Sequence, residues 1–352
     1  MKALFVGLGS IGQRHLRNLK KLKPEIDIMA VRSTRSAPVL CDANEVVLNA
    51  SIKEHYEIEE FDSLEDALAH KPDMVFVTNP TSFHLSVAIK SLLNGAFVFI
   101  EKPLSHEWKG IEDLIKAERD CGKKRIAIGY QFRFHPALKL LKKILKNESI
   151  GNITSAQLTN GEYMPGWHPY EDYRLSYAVR KDLGGGALVT QIHDFDYAIW
   201  LFGQPSKLFS VGGQLSDLEV DVEDSVQILM QCNNKGKNLP VTLHLDYLQW
   251  PPSRTISIVG DKGSIQCNLT TMEIVVNDRI KENVKRHTFP SFDRNQLFLD
   301  EMKNFLEFVT GKEDPAVDLK NGIVSLRVAL AAKESMNSEN IQNFSRIWCD
   351  GE

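Results

Sequence analysis

Cysteine is scarce and unpatterned in this 352-residue chain: Cys41, Cys121, Cys232, Cys267 and Cys349 are scattered, with no C-x-x-C spacing. That argues against a disulfide framework or a structural zinc site and fits reduced thiols in a cytoplasmic protein. Charge of one sign is lacking too. The formal net charge is −4 and the sequence pI is about 6.2, so no overall field draws the chain to nucleic acid or an anionic membrane. No apolar run reaches the roughly 18 residues of a membrane span, and the N-terminus reads as a strand without a signal-peptide pattern. Metal-ligand spacing is missing apart from the group His193-Asp194-x-Asp196, so no metal is expected. Repeats and low-complexity tracts are absent as well, and the length suits two domains.

What is present begins at Lys2-Ala3-Leu4-Phe5-Val6-Gly7-Leu8-Gly9-Ser10-Ile11-Gly12, an apolar strand running into glycines with a helical pattern behind them. Gly7 permits a tight turn, Gly9 lets backbone approach a pyrophosphate, and Gly12 lets the helix lie close on the sheet. Ser10 and Ile11 open that helix, whose free N–H groups and positive dipole end suit an anion. The spacing predicts a bound dinucleotide.

Strand and helix then alternate to about residue 122, with strands at 26–31, 73–78, 97–100 and 125–129 and helices at 64–68, 83–93 and 108–121. This is the pattern of a parallel sheet covered on both faces. Residues 35–55 show no clear period. From about 150 longer alternating strands take over (153–160, 208–213, 225–232, 241–248, 254–259, 264–269 and 273–276), interrupted by a helical pattern at 187–201. After 295 the chain turns helical again. The expected fold class is an α/β Rossmann nucleotide-binding domain plus an α+β second domain with a large, mainly antiparallel open sheet. The domains expected are 1–122, 123–295 and C-terminal helices at 296–352. Val241, Leu243, Leu245 and Tyr247 share one strand face, opposite Thr242, His244 and Asp246. A sheet with its second face neither fully polar nor covered suggests a homodimer or homotetramer.

An acidic residue normally ends the second strand of such a fold, where it accepts the ribose hydroxyls of NAD. Here the chain reads Arg32-Ser33-Thr34-Arg35. Arg32 and Arg35 can grip a 2′-phosphate, with Ser33 adding a donor, which favours NADP over NAD. The alternative is two solvated arginines. Thr78, Asn79, Pro80 and His84, then Glu101 and Lys102, follow the carboxyl ends of strands, where such sheets bind ligands. Lys102 in Glu101-Lys102-Pro103 is placed for proton transfer, or else pairs with an acid.

Taken together, the glycine run, Glu101-Lys102-Pro103, Gly129-Tyr130-x-x-Arg133-Phe134-x-Pro136, Gly184-Gly185-Gly186-Ala187-Leu188 leading to His193-x-x-Asp196, and Gly260-Asp261-Lys262-Gly263 resemble the glucose–fructose oxidoreductase / inositol dehydrogenase (Gfo/Idh/MocA-type) family. The resemblance spans essentially the whole chain. It implies Lys102 as catalytic lysine, a cis bond before Pro103, and His193 as the histidine at the reacting hydroxyl. It also implies C-terminal helices packed back on the nucleotide domain, with Arg133 beside the cofactor and Tyr130 and Asp194 beside the substrate. Many members carry an aspartate three or four residues before that histidine, where this chain has Thr190 and Val189. Read without the resemblance, His193 is equally a hydrogen-bonded histidine near a helix surface. Between the motifs, the stretch 163–181 is rich in aromatics and cations. Trp167 and Tyr177 could stack on a sugar, and Arg174 and Arg180 could hold an anion, so an acidic or nucleotide-linked sugar is expected, or a packed surface loop instead. Two functions follow: an NAD(P)-dependent enzyme acting on a sugar hydroxyl, or a redox-inactive dinucleotide sensor of the same fold.

Overall fold

The computed structural model describes residues 1–32, 37–42 and 45–344. Six parallel strands form the first sheet: β1 (Lys2–Val6), β2 (Asp27–Val31), β3 (Glu59–Phe61), β4 (Met74–Val77), β5 (Phe97–Glu101) and β6 (Ile126–Gly129). Their order is β3-β2-β1-β4-β5-β6. Strands β4 and β6 are wholly buried, as expected of continuous apolar runs covered on both faces. Helices α1 (Ser10–Leu22), α2 (His84–Leu93) and α3 (Ile111–Asp120) supply cover. The strand order reverses between β1 and β4, so a ligand crevice opens at their carboxyl ends.

The segment without a clear period holds two-residue strands at Val39–Leu40 and Val46–Val47 and a short helix at Ile52–Tyr56. Its order comes from tertiary contacts that leave no periodic trace. Buried Gln13 accepts from the Leu40 amide (2.8 Å) and donates to the Leu8 and Pro38 carbonyls (3.0 and 2.9 Å).

Helix α4 (Pro136–Lys146), which the sequence reading did not anticipate, leads into the second sheet with Leu138, Leu141 and Ile144 buried. That sheet has nine strands: β7 (Ile153–Gly161), β8 (Pro205–Gly213), β9 (Ser225–Asn234), β10 (Lys237–Asp246), β11 (Ser253–Gly260), β12 (Gly263–Asn268), β13 (Glu273–Asp278), β14 (Asn283–Thr288) and β15 (Gln342–Asn343). The order is β14-β13-β12-β11-β7-β10-β9-β8-β15, and only the β7–β10 pair is parallel. Val241, Leu243, Leu245 and Tyr247 are buried on the inner side, whereas Val211, Leu229 and Val259 are exposed. The single helix expected at 187–201 is two pieces, Ala187–Thr190 and α5 (His193–Phe202). At the break, the Gln191 side chain donates to the Asp246 carbonyl (2.9 Å).

Two long helices close the chain. Helix α6 (Arg294–Val309) inserts Phe305 between Phe76 and Phe99 of the first sheet, with ring centroids 5.3 and 5.4 Å away. Helix α7 (Leu319–Ser338) lies against β8 and α5, and Ser335 accepts the Ser210 amide (3.0 Å). Among the described residues no helix is long and apolar enough to cross a membrane.

Candidate active site

The glycine-rich turn fills the crevice at the end of β1. Gly7 has φ +95°, and a Cβ there would lie 2.7 Å from the Asn79 amide nitrogen. At Gly12 a Cβ would lie 2.4 Å from the Gly7 carbonyl oxygen, so helix α1 sits against the turn too closely for any side chain. Thr78 locks the same carbonyl by donating its hydroxyl (2.6 Å). Gly9 differs: a Cβ there meets nothing within 4 Å. The first turn of α1 carries no acidic residue, and its N-cap, Gly9, supplies no side-chain hydrogen bond. Open space beside Gly9 and uncapped amides fit a pyrophosphate. Ser10 and Ile11 lie on that first turn.

Arg32 follows β2 in a nearly buried pair, its Nη1 2.7 Å from Glu60 on the adjacent β3. Its Nη2 is buried without a hydrogen-bond partner among the described residues. Ser33, Thr34 and Arg35 lie outside the described residues.

Lys102 follows β5 in a turn whose Lys102–Pro103 bond is cis. Glu101, nearly buried, faces two donors: its Oε1 meets His15 Nε2 at 2.7 Å and its Oε2 accepts the Lys102 amide at 2.9 Å. His84 sets Nε2 2.9 Å from the Asn79 carbonyl and Nδ1 2.8 Å from the Pro103 carbonyl, tying the 78–84 segment to the lysine turn, while burial lowers its pKa. The Lys102 ammonium reaches across and donates to the Thr190 carbonyl (2.9 Å). That contact joins the first sheet to the segment that carries His193.

His193 opens α5 with Tyr130 edge-on at 5.7 Å and Phe132 at 5.0 Å, centroid to centroid. Burial pushes its pKa well below the ordinary imidazole value, and the charges of Lys102, Arg254 and Arg294 push the same way. The ring is therefore neutral at physiological pH, and its Nδ1 has no partner among the described residues. Two buried ion pairs fix the turn beneath it. Asp196 accepts from Arg133 through both oxygens (2.7 and 2.9 Å), and Asp194 accepts from Arg254 (3.0 Å) and Asn160 (2.9 Å) and contacts the Tyr197 hydroxyl. The two carboxylates also sit at the positive end of the helix dipole.

The remaining sequence candidates are more scattered. Arg133, expected beside the cofactor, has its guanidinium held by Asp196 and faces the Trp200 ring at 5.0 Å. Asp194, expected at the substrate, is wholly buried under His193. Trp167 packs edge-on against Tyr247 at 5.3 Å. Arg174 is exposed and bound to Asp172 and Glu219, Arg180 is exposed and bound to Asp182, and Tyr177 sits half-buried in a short 3-10 turn. The residues the sequence reading missed lie next to His193: Asn160 at the end of β7, Arg254 on β11 and Arg294 at the start of α6. No local motif marks them, because three distant segments supply them.

Comparison with known proteins gives three kinds of similarity. Residues 1–130 match the model "Oxidoreductase family, NAD-binding Rossmann fold", and residues 142–342 match "Oxidoreductase family, C-terminal alpha/beta domain". The chain is 27% identical over 354 aligned positions to myo-inositol 2-dehydrogenase of Thermotoga maritima, covering 99% of each chain. In fold it is similar to the WlbA dehydrogenase of Bordetella pertussis, solved with NADH and UDP-GlcNAcA (TM-score 0.79, 18% identity, 98% of this chain and 99% of that one). UDP-N-acetylglucosamine 3-dehydrogenase GnnA of Acidithiobacillus ferrooxidans is similar as well (TM-score 0.74, 18% identity, 96% and 98%).

The glycine geometry separates binding from stability. Gly9→Ala is expected to leave the melting temperature within about 2 °C while weakening dinucleotide binding about tenfold or more, because its Cβ enters only the open space. Gly12→Ala is expected to lower the melting temperature by several degrees, on the order of 1–3 kcal/mol of overpacking. Thermal melts with dinucleotide titrations check both, and equal effects of the two substitutions would contradict the assignment.

Proposed function

Since this chain belongs to the Gfo/Idh/MocA oxidoreductase family, we propose that it moves a hydride between a nicotinamide dinucleotide and a hydroxyl-bearing carbon of a sugar, with Lys102 and His193 at the reacting oxygen. The observation that carries this reading is the Lys102–Thr190 bond, which holds the lysine beside the α5 segment that His193 opens. The open edge at Gly9 and the first turn of α1 would hold the dinucleotide's pyrophosphate, as their fit to an anion indicates. When bound, the dinucleotide supplies the two-electron acceptor for the hydride that leaves the carbinol carbon. As the free amine, Lys102 takes the hydroxyl proton while that carbon becomes a carbonyl, and as the ammonium it returns the proton in the reverse direction. His193, too weakly basic to compete for the proton, hydrogen-bonds the same oxygen and fixes its direction. Polyhydroxylated rings are what the names of the relatives describe, inositol and an acetamido sugar nucleotide, and they suit this pair.

For the dinucleotide, we read a preference for the 2′-phosphate. Glu60 fixes Nη1 of Arg32, and Nη2 is a buried donor with no partner among the described residues. That nitrogen would complete its bonding with a phosphate oxygen.

Two measurements test these readings. NADP+ reduction should be observed with at least one member of a panel of monosaccharides, inositols and nucleotide sugars. There, His193→Ala should lower kcat by about a hundredfold or more with NADPH affinity unchanged. Tight dinucleotide binding with no turnover across the panel would instead indicate a redox-inactive binding protein. Titration should show NADPH binding about tenfold or more tighter than NADH, a difference that Arg32→Ala abolishes. Equal affinities in the unaltered protein would remove the assignment of Arg32.

A further inference from the structure

A cavity of about 160 Å³ adjoins His193, lined in part by Gln131, Phe132, His135, Asn160, Arg254 and Arg294. It is smaller than the roughly 300–1,000 Å³ of sites that enclose drug-sized ligands, and it suits a single sugar ring. The Phe132 ring forms the partition: His193 lies 5.0 Å from it and the Arg254 guanidinium 4.4 Å over it. The two arginines are in different electrostatic states. Arg254 is balanced by Asp194 at 3.0 Å. Arg294 stands at the mouth with no ion pair or hydrogen bond among the described residues, and Glu162 acts on it only through space. Lys102 is the second cation that acts on His193 without a carboxylate bound to its ammonium. Between these charges the wall mixes polar side chains with apolar ones such as Leu269, Phe292 and Leu297, and Glu162 is its one carboxylate. His135 is held neutral by burial with a pKa of about 4, and Gln131 keeps a buried, unpartnered carbonyl oxygen. Asn160, Ser253 and Thr270 add further polar groups to that wall.

The geometry points to a carboxylate subsite: the substrate is a carboxylate-bearing sugar whose acid group docks on Arg294 while its reacting hydroxyl lies between Lys102 and His193. This rests on the oxidoreductase reading above. A guanidinium fork matches a carboxylate in two parallel hydrogen bonds, and a free Arg294 has the donors for both. The uncharged amides and hydroxyls of the wall suit ring hydroxyls. Arg174 and Arg180, bound within their own loop, are left out of this recognition.

The test uses the full chain with NADP+ and NAD+ and three matched pairs of probes: D-glucuronate with D-glucose, D-galacturonate with D-galactose, and UDP-glucuronate with UDP-glucose. Binding to the dinucleotide-loaded protein is measured by calorimetry and turnover by nicotinamide absorbance. Acids should bind or react about tenfold or more better than their neutral partners. Arg294→Met should remove that preference, lowering kcat/KM for the acids about tenfold or more relative to their neutral partners, and Arg294→Lys should restore part of it. Preference for the free acids places the carboxylate on an unlinked ring, and preference for UDP-glucuronate places it on a nucleotide-linked one. Turnover of neutral sugars as fast as acids, or equal losses for both in Arg294→Met, overturns the subsite and leaves the oxidoreductase reading intact. Acid-selective binding without turnover supports the subsite and counts against the redox chemistry. Neither acid-selective binding nor turnover contradicts both.

Discussion

The first turn of α5 is the constraint on which the rest of the site depends. His193 can be held at a reacting oxygen only if the backbone beneath it is fixed, and two buried Arg–Asp pairs do that. Arg133 comes from the segment just after the six-stranded sheet and Arg254 from a strand of the nine-stranded one. One helical turn therefore joins both sheets. Breaking a buried pair by removing one partner costs about 3–5 kcal/mol, because it strands an uncompensated charge. Replacing a whole pair with apolar groups costs far less, so the value of these pairs lies in fixing one geometry for His193.

The same arrangement sets the electrostatics. Both carboxylates near His193 are taken up by arginines, so no negative charge remains to raise its basicity. Burial and three cations then keep the ring neutral. The usual aspartate before this histidine is absent, and no carboxylate reaches Nδ1 among the described residues. On the proposed reading, a histidine without an acidic partner serves as the hydrogen-bonding group and Lys102 as the proton carrier. The ammonium of Lys102 is held by a carbonyl and not by a carboxylate.

Much of this could be read from the sequence wherever a local backbone demand chooses the residue. Gly7 and Gly12 are required because a Cβ at either would collide with the neighbouring chain. Apolar runs such as Met74–Val77 could only be buried strands. Lys102 stood out at the end of an apolar strand, the cis turn and His193 came from the family resemblance, and the structure bonds Lys102 to Thr190, three residues before His193. Other features had no local signature. Glu60 completes the Arg32 site from an adjacent strand, and Arg254 and Arg294 reach His193 from a strand and a helix far along the chain. Helix α4 did have a readable stripe in Leu138, Leu141 and Ile144, yet the reading passed over it. The loop arginines invited a ligand interpretation because charge density was visible and pairing was not. Asp172 and Asp182 lie two residues from Arg174 and Arg180 and engage them locally.

The central claim is that the cleft at Lys102 performs proton transfer coupled to hydride transfer, and does not merely hold a dinucleotide. Single-turnover reduction of the bound dinucleotide by a reacting sugar, measured for Lys102→Ala beside its dinucleotide dissociation constant, tests this most directly. The account predicts a rate lower by about a thousandfold, with the dissociation constant changed by less than about threefold. A variant that keeps its rate within about tenfold of the unaltered protein would contradict it.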